Sequence, residues 1–364
     1  MTPTLLPELA EAAEVVGAPC SAQSHRADHG KPIAKQDAVA DEARRGLTST
    51  PKTLSPWLFY DEPGSRLFEQ ITALPEYYLT RTERDLFHAH ADQIFLSLIA
   101  NLTIAELGAG TASKTGILLR ALARFQSTVL YQPIDISPTA LGYAREAIER
   151  TIPGVTVHPQ VANYVTEPVP LERPPQTKIL ALYIGSSIGN FSPAEACAIL
   201  NRLRSQLRPG DALLLGTDLA PGLAGGGLTG AGPAKTVATL LAAYDDAAGV
   251  TAAFNLNLLA RLNRELAANF DLDRFTHRAL WNAAHSRIEM HLESSCAQRV
   301  HIPANSAGPA LTLDFAPGET IHTENSYKFT PAAIAALLTG SNFTPTHTFL
   351  DPHCHFAVTL ATPG

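Results

Sequence analysis

The sequence of 364 residues has few cysteines and no cysteine pair close together. Its four cysteines are far apart and form no C-x-x-C motif: Cys20, Cys197, Cys296 and Cys354. Such spacing argues against a disulfide framework and against a cysteine-based zinc site. It is typical of reduced thiols in a cytoplasmic protein.

Basic residues and long apolar runs are also scarce. The 27 lysines and arginines are outnumbered by 34 acidic residues, which gives a net charge of −7. Because no basic block stands out, we expect no nucleic-acid partner. No apolar stretch is long enough to cross a membrane, and the first residues lack the features of a signal peptide. We therefore expect no membrane partner, a cytoplasmic location and a monomer.

The most informative motif that is present is an acidic residue followed by two glycines. Residues 105–115 read Ala-Glu-Leu-Gly-Ala-Gly-Thr-Ala-Ser-Lys-Thr, and Asp135 ends the next apolar run. Gly108 and Gly110 permit a sharp turn, because glycine tolerates positive φ values and places no Cβ near a ligand. Asp135 can accept hydrogen bonds from both hydroxyls of a ribose. The pattern is typical of the S-adenosylmethionine site of class I methyltransferases, where Glu106 would face the cationic, amino-bearing end of the cofactor.

Two other nucleotide-binding motifs come close to this loop. A dinucleotide fingerprint requires Gly-x-Gly-x-x-Gly, and a P-loop requires Gly-x-x-x-x-Gly-Lys before serine or threonine. In both comparisons Ser113 stands where a glycine is needed. Glu106 would also face an anion if the loop held phosphate. A methyltransferase is favoured, while nucleotide binding and a structural turn without a ligand remain alternatives.

Apolar runs and helical stretches alternate between residues 101 and 219. Strands are predicted near 102–105, 129–131, 155–157 or 161, 179–184 and 212–215, with helices at 113–124, after 137 and at 193–207. This alternation predicts a doubly wound parallel sheet with its ligand at the carboxyl ends of the strands. Further along, we predict a helix from 82 to 99, a glycine-rich flexible loop at 221–233, a long helical region at 236–268 and strands and turns at 277–330.

We therefore predict an α/β fold: a Rossmann-like class I methyltransferase sheet with an inserted substrate-binding α+β domain. A helix at 331–339 and two strands near 343–349 and 356–361 would return to the main sheet. The methyltransferase domain would comprise residues 86–220 and 331–364, and the substrate-binding domain residues 46–85 and 221–330. Residues 1–45 would form a partly disordered extension with a short helix at 6–15.

Several long strings are similar to the histidine-specific Nα-methyltransferase family of ergothioneine biosynthesis. They cover residues 59–72, 74–83, 185–190, 216–219, 244–255, 281, 287–290 and 323–329. The similarity extends from about residue 46 to the last residue. It implies three successive methyl transfers from S-adenosylmethionine to the α-amine of L-histidine, which give the betaine hercynine.

The same resemblance implies roles for individual residues. With the glycine motif, it gives a cofactor-binding set of Glu106, Gly108, Gly110, Lys114, Asp135, Asn163, Tyr164 and Gly185. Asn163 would face the adenine amine, where the family usually has aspartate, so altered cofactor binding is expected. The implied catalytic residues are Tyr60, Asn190 and Tyr244. The implied substrate-binding residues are Tyr77, Asn190, Tyr244, Met290, Glu324 and Ser326, with Glu324 and Ser326 on the imidazole ring.

Simpler explanations exist for several of these residues. Taken alone, Tyr77 and Met290 are ordinary core residues, and Glu324 is an ordinary surface carboxylate. No metal is expected, because the neighbours in His353-Cys354-His355 would point to opposite faces of a strand. The acidic pair Asp245-Asp246 is explained by a helix N-terminus as well as by magnesium. Two functional alternatives remain: a family member that acts on a tryptophan derivative, and a non-catalytic S-adenosylmethionine-binding module.

Overall fold

The computed structural model describes residues 35–98, 100–223 and 234–364. Within these ranges the chain forms nine α-helices and fourteen β-strands. The helices are α1 Lys35–Leu47, α2 Glu62–Ala73, α3 Tyr78–Leu96, α4 Thr115–Leu122, α5 Pro138–Thr151, α6 Pro193–Arg204, α7 Val237–Tyr244, α8 Val250–Leu266 and α9 Pro331–Gly340. The strands are β1 Lys52–Thr53, β2 Leu102–Leu107, β3 Val129–Asp135, β4 Val155–Val157, β5 Gln160–Val161, β6 Lys178–Tyr183, β7 Ala212–Asp218, β8 Phe275–Asn282, β9 Arg287–Ser294, β10 Gln298–Ile302, β11 Leu311–Phe315, β12 Thr320–Tyr327, β13 Phe343–Leu350 and β14 Phe356–Pro363.

The largest sheet has eight strands in the order β13-β14-β7-β6-β2-β3-β4, with β5 also paired to β3. The strands from β7 to β4 are parallel, and β14 is antiparallel to β7. Every residue of β2 and β7 is buried, as expected for strands with helices on both faces of the sheet. The predicted Rossmann-like class I sheet is confirmed, including the return of β13 and β14 to it.

Local sequence signals explain where several helices of this sheet begin. Ser137 accepts a hydrogen bond from the backbone N–H of Ala140, and Pro138 occupies the first helical position of α5. Ser192 and Glu195 form a reciprocal capping box at the start of α6. Such caps satisfy backbone N–H groups that have no partner within the helix.

A second sheet has four strands in the order β1-β12-β9-β8, beside the β10–β11 hairpin. Helices α7 and α8 contact this sheet, and α2 packs on α8. The ladder between β12 and β9 shifts register between His322 and Glu324, which leaves Thr323 as the extra residue of a β-bulge. The predicted strands and turns between 277 and 330 are confirmed.

Some predictions differ from the structure. Helix α1 was not predicted; it crosses the predicted boundary after residue 45 and buries Val39, Ala43 and Leu47 fully. The helical region at 236–268 is two helices, since Gly249 adopts a positive φ of 74° between them. The third strand forms at both proposed places, as β4 and β5. The helix predicted from 82 begins earlier, at Tyr78.

The remaining predictions lie outside the described residues or are untested. The helix at 6–15 and most of the glycine-rich loop fall outside the described ranges. The division of the chain into two domains stays a prediction. Among the helices that the structure describes, none has the length and apolar character needed to cross a membrane.

Candidate active site

The glycine loop follows β2 at the carboxyl end of the main sheet. Gly108 and Gly110 have positive φ values of 69° and 52°, the backbone region that favours glycine. A Cβ on Gly108 would lie 3.1 Å from the Oη atom of Tyr164. The predicted cofactor residues Gly108 and Tyr164 are therefore in close contact, and a larger residue at 108 would push Tyr164 away.

Asp135 lies at the end of the neighbouring strand, β3, next to this loop. Its Oδ2 accepts a hydrogen bond from the backbone N–H of Gly110 at 3.0 Å, and its Oδ1 accepts one from Ser137 at 2.9 Å. Burial raises the pKa of this half-buried carboxyl, although these N–H groups oppose the shift. Each oxygen keeps a free lone pair, so the carboxylate can still bind a ribose hydroxyl.

Glu106 lies at the end of β2, just before the glycine loop. Its carboxylate is buried, accepts hydrogen bonds from Thr115 Oγ1 at 2.8 and 2.9 Å, and also accepts one from the Tyr131 hydroxyl. Burial raises its pKa to about 7. Glu106 thus ties β2 to β3 and α4 through neutral hydroxyls, and its contact with the cofactor stays a prediction.

Asn163 and Tyr164 follow the carboxyl end of β5, at the same edge of the main sheet as the glycine loop. Asn163 Oδ1 accepts a hydrogen bond from the backbone N–H of Val165 at 3.1 Å. Burial raises the pKa of Tyr164 to about 12, so its phenol is neutral. The amide oxygen of Asn163 has one lone pair left for another donor.

Glu83 is a residue of the cofactor side to which the sequence assigned no role. Its carboxylate pairs with the ammonium group of Lys114 and accepts the N–H of Gly185 at 2.8 and 3.0 Å. A Cβ on Gly185 would lie 3.2 Å from Lys114 Nζ. Two predicted cofactor residues, 71 positions apart, are therefore joined through one buried carboxylate. Glu83 is the last residue of the family-like string 74–83. That string was the feature of the sequence that could have pointed to Glu83.

A cleft lies beside this region. It is enclosed by residues from α2, α3, α7 and α8, from the loop after β6, and from the second sheet. All the predicted catalytic and substrate-binding residues line it, and so does Gly185: Tyr60, Tyr77, Asn190, Tyr244, Met290, Glu324 and Ser326. The structure therefore brings together side chains that are as far as 266 residues apart in the sequence.

Three tyrosines give the cleft neutral hydroxyl groups. Burial raises the pKa values of Tyr60, Tyr77 and Tyr244 well above the ordinary range, and nearby negative charges such as Glu324 raise them further. The rings of Tyr77 and Tyr244 meet edge to face with centroids 6.3 Å apart. These phenols can exchange hydrogen bonds with a ligand without adding charge.

Glu324 enters the cleft because of the bulge in β12. It lies opposite Met290, and Ser326 lies opposite Ile288, so both point to the face that these buried residues occupy. Burial raises the pKa of Glu324 to about 7, and Lys328 opposes the shift. A carboxyl of this kind changes protonation state near neutral pH.

Behind the cleft lies a group of charged and polar side chains that the sequence did not reveal. Asp218 accepts from the Tyr78 hydroxyl at 2.8 and 2.9 Å and pairs with the ammonium groups of Lys235 and Lys328 at 2.5 and 2.8 Å. The two lysines hold the pKa of Asp218 below its usual value, although burial acts in the opposite direction. Asp218 and Lys328 stand in family-like strings, but a string alone does not show that they meet.

A possible metal-binding group lies on the other face of the second sheet. Glu289, His291 and His322 offer ligand atoms within 4.8 Å of one another. The Glu289 carboxylate is already bound by Arg287, 2.6 Å away. In the acidic pair near α8, Asp246 is also engaged, because both of its carboxylate oxygens accept backbone N–H groups of that helix. The expected absence of a metal stays a prediction.

Comparisons with known proteins agree with this geometry. Residues 39–363 match the model of a family described as histidine-specific, S-adenosylmethionine-dependent methyltransferases. The chain is 41% identical to the histidine N-alpha-methyltransferase of Mycolicibacterium smegmatis over 326 residues, which cover 89% of this chain and 95% of that protein. It is 40% identical to the enzyme of the same name from Mycobacterium tuberculosis, over 89% of this chain and 94% of that protein.

Solved structures are more distant. An S-adenosylmethionine-dependent methyltransferase from Clostridium acetobutylicum aligns with a TM-score of 0.43 and 9% identity, over 77% of this chain and 92% of its own. The sheet order, the residues gathered around the cleft and the family match over nearly the whole chain lead to one assignment. The chain belongs to the histidine-specific, S-adenosylmethionine-dependent methyltransferases.

Proposed function

We propose that this enzyme transfers three methyl groups from S-adenosylmethionine to the α-amine of L-histidine and forms hercynine, the first step of ergothioneine biosynthesis. One observation supports this most strongly. The residues expected to bind the amino acid line a single cleft that also contains Gly185 from the cofactor side. A methyl donor and an amino acid can therefore meet there.

The cofactor would lie across the carboxyl ends of β2, β3 and β6. Gly108 and Gly110 would allow the backbone to approach it, and Asp135 would accept hydrogen bonds from the ribose. Asn163 would accept from the adenine amine with its remaining lone pair. The Lys114–Glu83–Gly185 contact would fix the wall that separates the cofactor from the amino acid.

Histidine would lie with its ring toward the second sheet. Glu324 would accept the N–H of one ring nitrogen, Ser326 would contact the other, and Met290 would pack against the ring. A buried acceptor of this kind rejects analogues that lack the N–H far better than an apolar wall does. Tyr77, Asn190 and Tyr244 would hold the carboxylate and amine, with Tyr60 next to the amine.

The site suits methyl transfer because it places neutral groups around the amine. In each step the amine nitrogen forms a bond to the methyl carbon while the bond from that carbon to sulfur breaks. Conversion of an α-ammonium group to a trimethylammonium group releases three protons in total, since only a neutral amine can attack. A carboxylate beside the amine would stabilise its protonated form, whereas phenols and an amide do not. The enzyme contributes mainly alignment and exclusion of water.

Mass spectrometry tests the proposal directly. The purified enzyme is incubated with S-adenosylmethionine and histidine, and in a parallel reaction with tryptophan. We expect histidine to gain the mass of one, two and then three methyl groups, with the trimethylated product dominant. Methylation of tryptophan but not of histidine, or no product with either, would contradict the proposal. A Glu324→Ala variant serves as the matched control and should lose histidine turnover while it still binds S-adenosylhomocysteine.

We further propose that the enzyme acts as a cytoplasmic monomer without a metal. Light scattering after size exclusion should then give a mass near 38.8 kDa. Activity should also survive incubation with a chelator. A larger mass or a loss of activity that zinc restores would contradict these points.

A further inference from the structure

A buried ammonium group lies directly behind two hydroxyls of the cleft. Lys328 Nζ is 2.9 Å from Tyr244 Oη, 2.9 Å from Ser326 Oγ and 2.8 Å from an oxygen of Asp218. The side chains of Lys328 and Asp218 are 0% exposed. The three N–H groups of the ammonium thus have three partners, and an ammonium has no lone pair with which to accept a hydrogen bond.

This arrangement determines the direction of the hydrogen bonds around the two hydroxyls. Tyr244 Oη and Ser326 Oγ both accept from Lys328, and they lie 2.7 Å apart. Because a phenol is more acidic than an aliphatic hydroxyl and is the stronger donor, Tyr244 donates to Ser326, and both lone pairs of Ser326 are then occupied. The pair has two hydroxyl protons and uses one of them internally. Among the residues that the structure describes, these hydroxyls have no other hydrogen-bond partner. The second proton is therefore available to a ligand in the cleft, which both residues line.

We propose that Lys328 is a specificity-determining positioning residue that makes the Tyr244–Ser326 pair a hydrogen-bond donor and so selects the neutral form of the imidazole ring. The inference rests on the proposed function, because the ring is that of histidine. A donor at Ser326 requires a ring nitrogen with a free lone pair. Glu324, two residues earlier on the same face of β12, accepts the N–H of the other nitrogen. An imidazolium ion has two N–H groups and would direct one of them at the hydroxyl proton.

The charges around the ring act in opposite directions: an ionised Glu324 favours the imidazolium ion, and the ammonium of Lys328 behind the hydroxyls opposes it. The ammonium groups of Lys235 and Lys328 flank the carboxylate of Asp218, and Glu324 supplies a second carboxylate in front of them. With both carboxylates ionised, these four charges sum to zero. On the cofactor side Glu83 is paired with Lys114. The other ionisable groups that line the cleft are the neutral phenols Tyr60, Tyr77 and Tyr244.

The protonation state of bound histidine can be observed by nitrogen NMR. Histidine labelled with ¹⁵N in its ring is bound to the enzyme with S-adenosylhomocysteine from about pH 8 down to about pH 6, which crosses the free ring pKa of ~6.5 while part of Glu324 is still ionised. We expect the bound ring to show one protonated and one unprotonated nitrogen. Two protonated nitrogens in the bound ring would overturn the inference and leave the proposed function intact. If histidine does not bind at any pH, the proposed function fails and the inference fails with it.

Two matched variants separate hydrogen-bond direction from charge. Lys328→Met frees the lone pairs of both hydroxyls, so Ser326 can accept from an imidazolium ion. The pH at which the bound ring becomes protonated should then rise by about one unit or more. Lys235→Met removes the other ammonium group that pairs with Asp218, and it leaves the hydroxyls of Tyr244 and Ser326 unchanged. Histidine bound to this variant should become protonated at the same pH as in the wild type. An equal rise in both variants would contradict the inference. If Lys328→Met does not fold, the wild-type spectrum decides.

Discussion

At the scale of single residues, the depth of burial decides the chemistry of the site. The clearest case is Glu324, whose sequence neighbours are those of an ordinary polar strand. Burial raises its pKa to about 7, so a carboxyl that would be ionised on the surface is poised between two states. The proposed recognition of the ring by this residue would therefore depend on pH.

The variant Glu324→Gln tests this dependence. The ionised carboxylate accepts an N–H more strongly than the amide does, and the loss of such a charge-assisted bond costs about 1.5–3 kcal/mol. At pH 8 we expect histidine affinity, measured by calorimetry with S-adenosylhomocysteine present, to fall by about 10–100-fold. At pH 6 the wild-type carboxyl is mostly protonated, so the ratio of the two affinities should be roughly tenfold smaller than at pH 8. Titration of the imidazole ring affects both proteins equally and cancels in the ratio.

The control is Glu289→Gln, which alters a carboxylate on the opposite face of the same sheet. It should change histidine affinity little at either pH. If the ratio for Glu324→Gln is the same at pH 6 and pH 8, the ionised form of Glu324 is not the one that binds histidine.

At the scale of elements, the ends of helices and the irregularity of one strand place the site residues. Tyr244 ends α7, and the chain then turns through residues 245–249 before α8 begins. Asp246 closes this turn, with its carboxylate oxygens accepting the N–H groups of Val250 at 3.0 Å and Thr251 at 2.7 Å. Thr251 itself lines the cleft, so the cap holds part of its wall.

Asp246→Ala should destabilise the protein by about 1–2 kcal/mol at pH 7, as expected for the loss of a helix cap. Despite burial, these N–H groups lower the pKa of Asp246, so its contribution is present at neutral pH and is lost as the pH falls through that lowered pKa. The difference from the wild type, measured by thermal unfolding, should therefore shrink as the pH falls below the ordinary aspartate pKa of about 3.9. Asp245→Ala is the matched control: its side chain is 58% exposed, and it should cost much less. Equal losses in the two variants would show that Asp246 is not acting as a cap.

At the scale of the whole molecule, the cleft lies near a junction between the end of β7 and the chain that leaves β12. The backbone N–H of Phe329 donates to Asp218 O at 2.9 Å, and that of Ala220 donates to Phe329 O at 2.8 Å. The pair of Lys328 and Asp218 reinforces this junction. The carboxyl end of β7 is thereby fixed against the chain that leaves β12, the strand that contains Glu324 and Ser326.

Buried carboxyl groups also shape the stability of the whole molecule. The pKa of Glu106 is raised from 4.5 to about 7, so the folded state holds its proton more tightly than the unfolded state does. Stability from this group is fully present at low pH and is lost as the pH rises toward and through about 7. Between pH 5.5 and 8.5 the loss from Glu106 alone should be about 2 kcal/mol.

The variant Glu106→Gln isolates this effect, because an amide of the same shape does not titrate. Over that pH range, the free energy of unfolding of the wild type should decline relative to the variant by about 2 kcal/mol, as measured with urea. Histidine and aspartate titrations are common to both proteins and cancel. A constant difference across the pH range would mean that Glu106 does not carry the raised pKa.

Much of the fold and part of the site could be predicted from short stretches of sequence. The apolar runs of β2 and β6, the turn at Gly108 and Gly110, and the Ser137-Pro138 start of α5 depend on residues close in the chain, where backbone preference and burial periodicity act. The roles suggested for Tyr77 and Glu324 needed the longer family-like strings, since either residue alone is common in cores or on surfaces. Both residues line one cleft, which agrees with the roles proposed for them.

The sequence by itself determined the strand and helix order, the glycine turn and the class of cofactor, because these follow from local backbone and solvation preferences. Only the tertiary structure decided that the extra residue Thr323 turns Glu324 and Ser326 toward the cleft, whereas strict alternation from Ile321 would turn them away. It also decided that Glu106 is enclosed by hydroxyls and that Lys328 meets Asp218. Register, depth of burial and the pairing of charges more than 100 residues apart depend on how distant segments pack, and no local pattern encodes that.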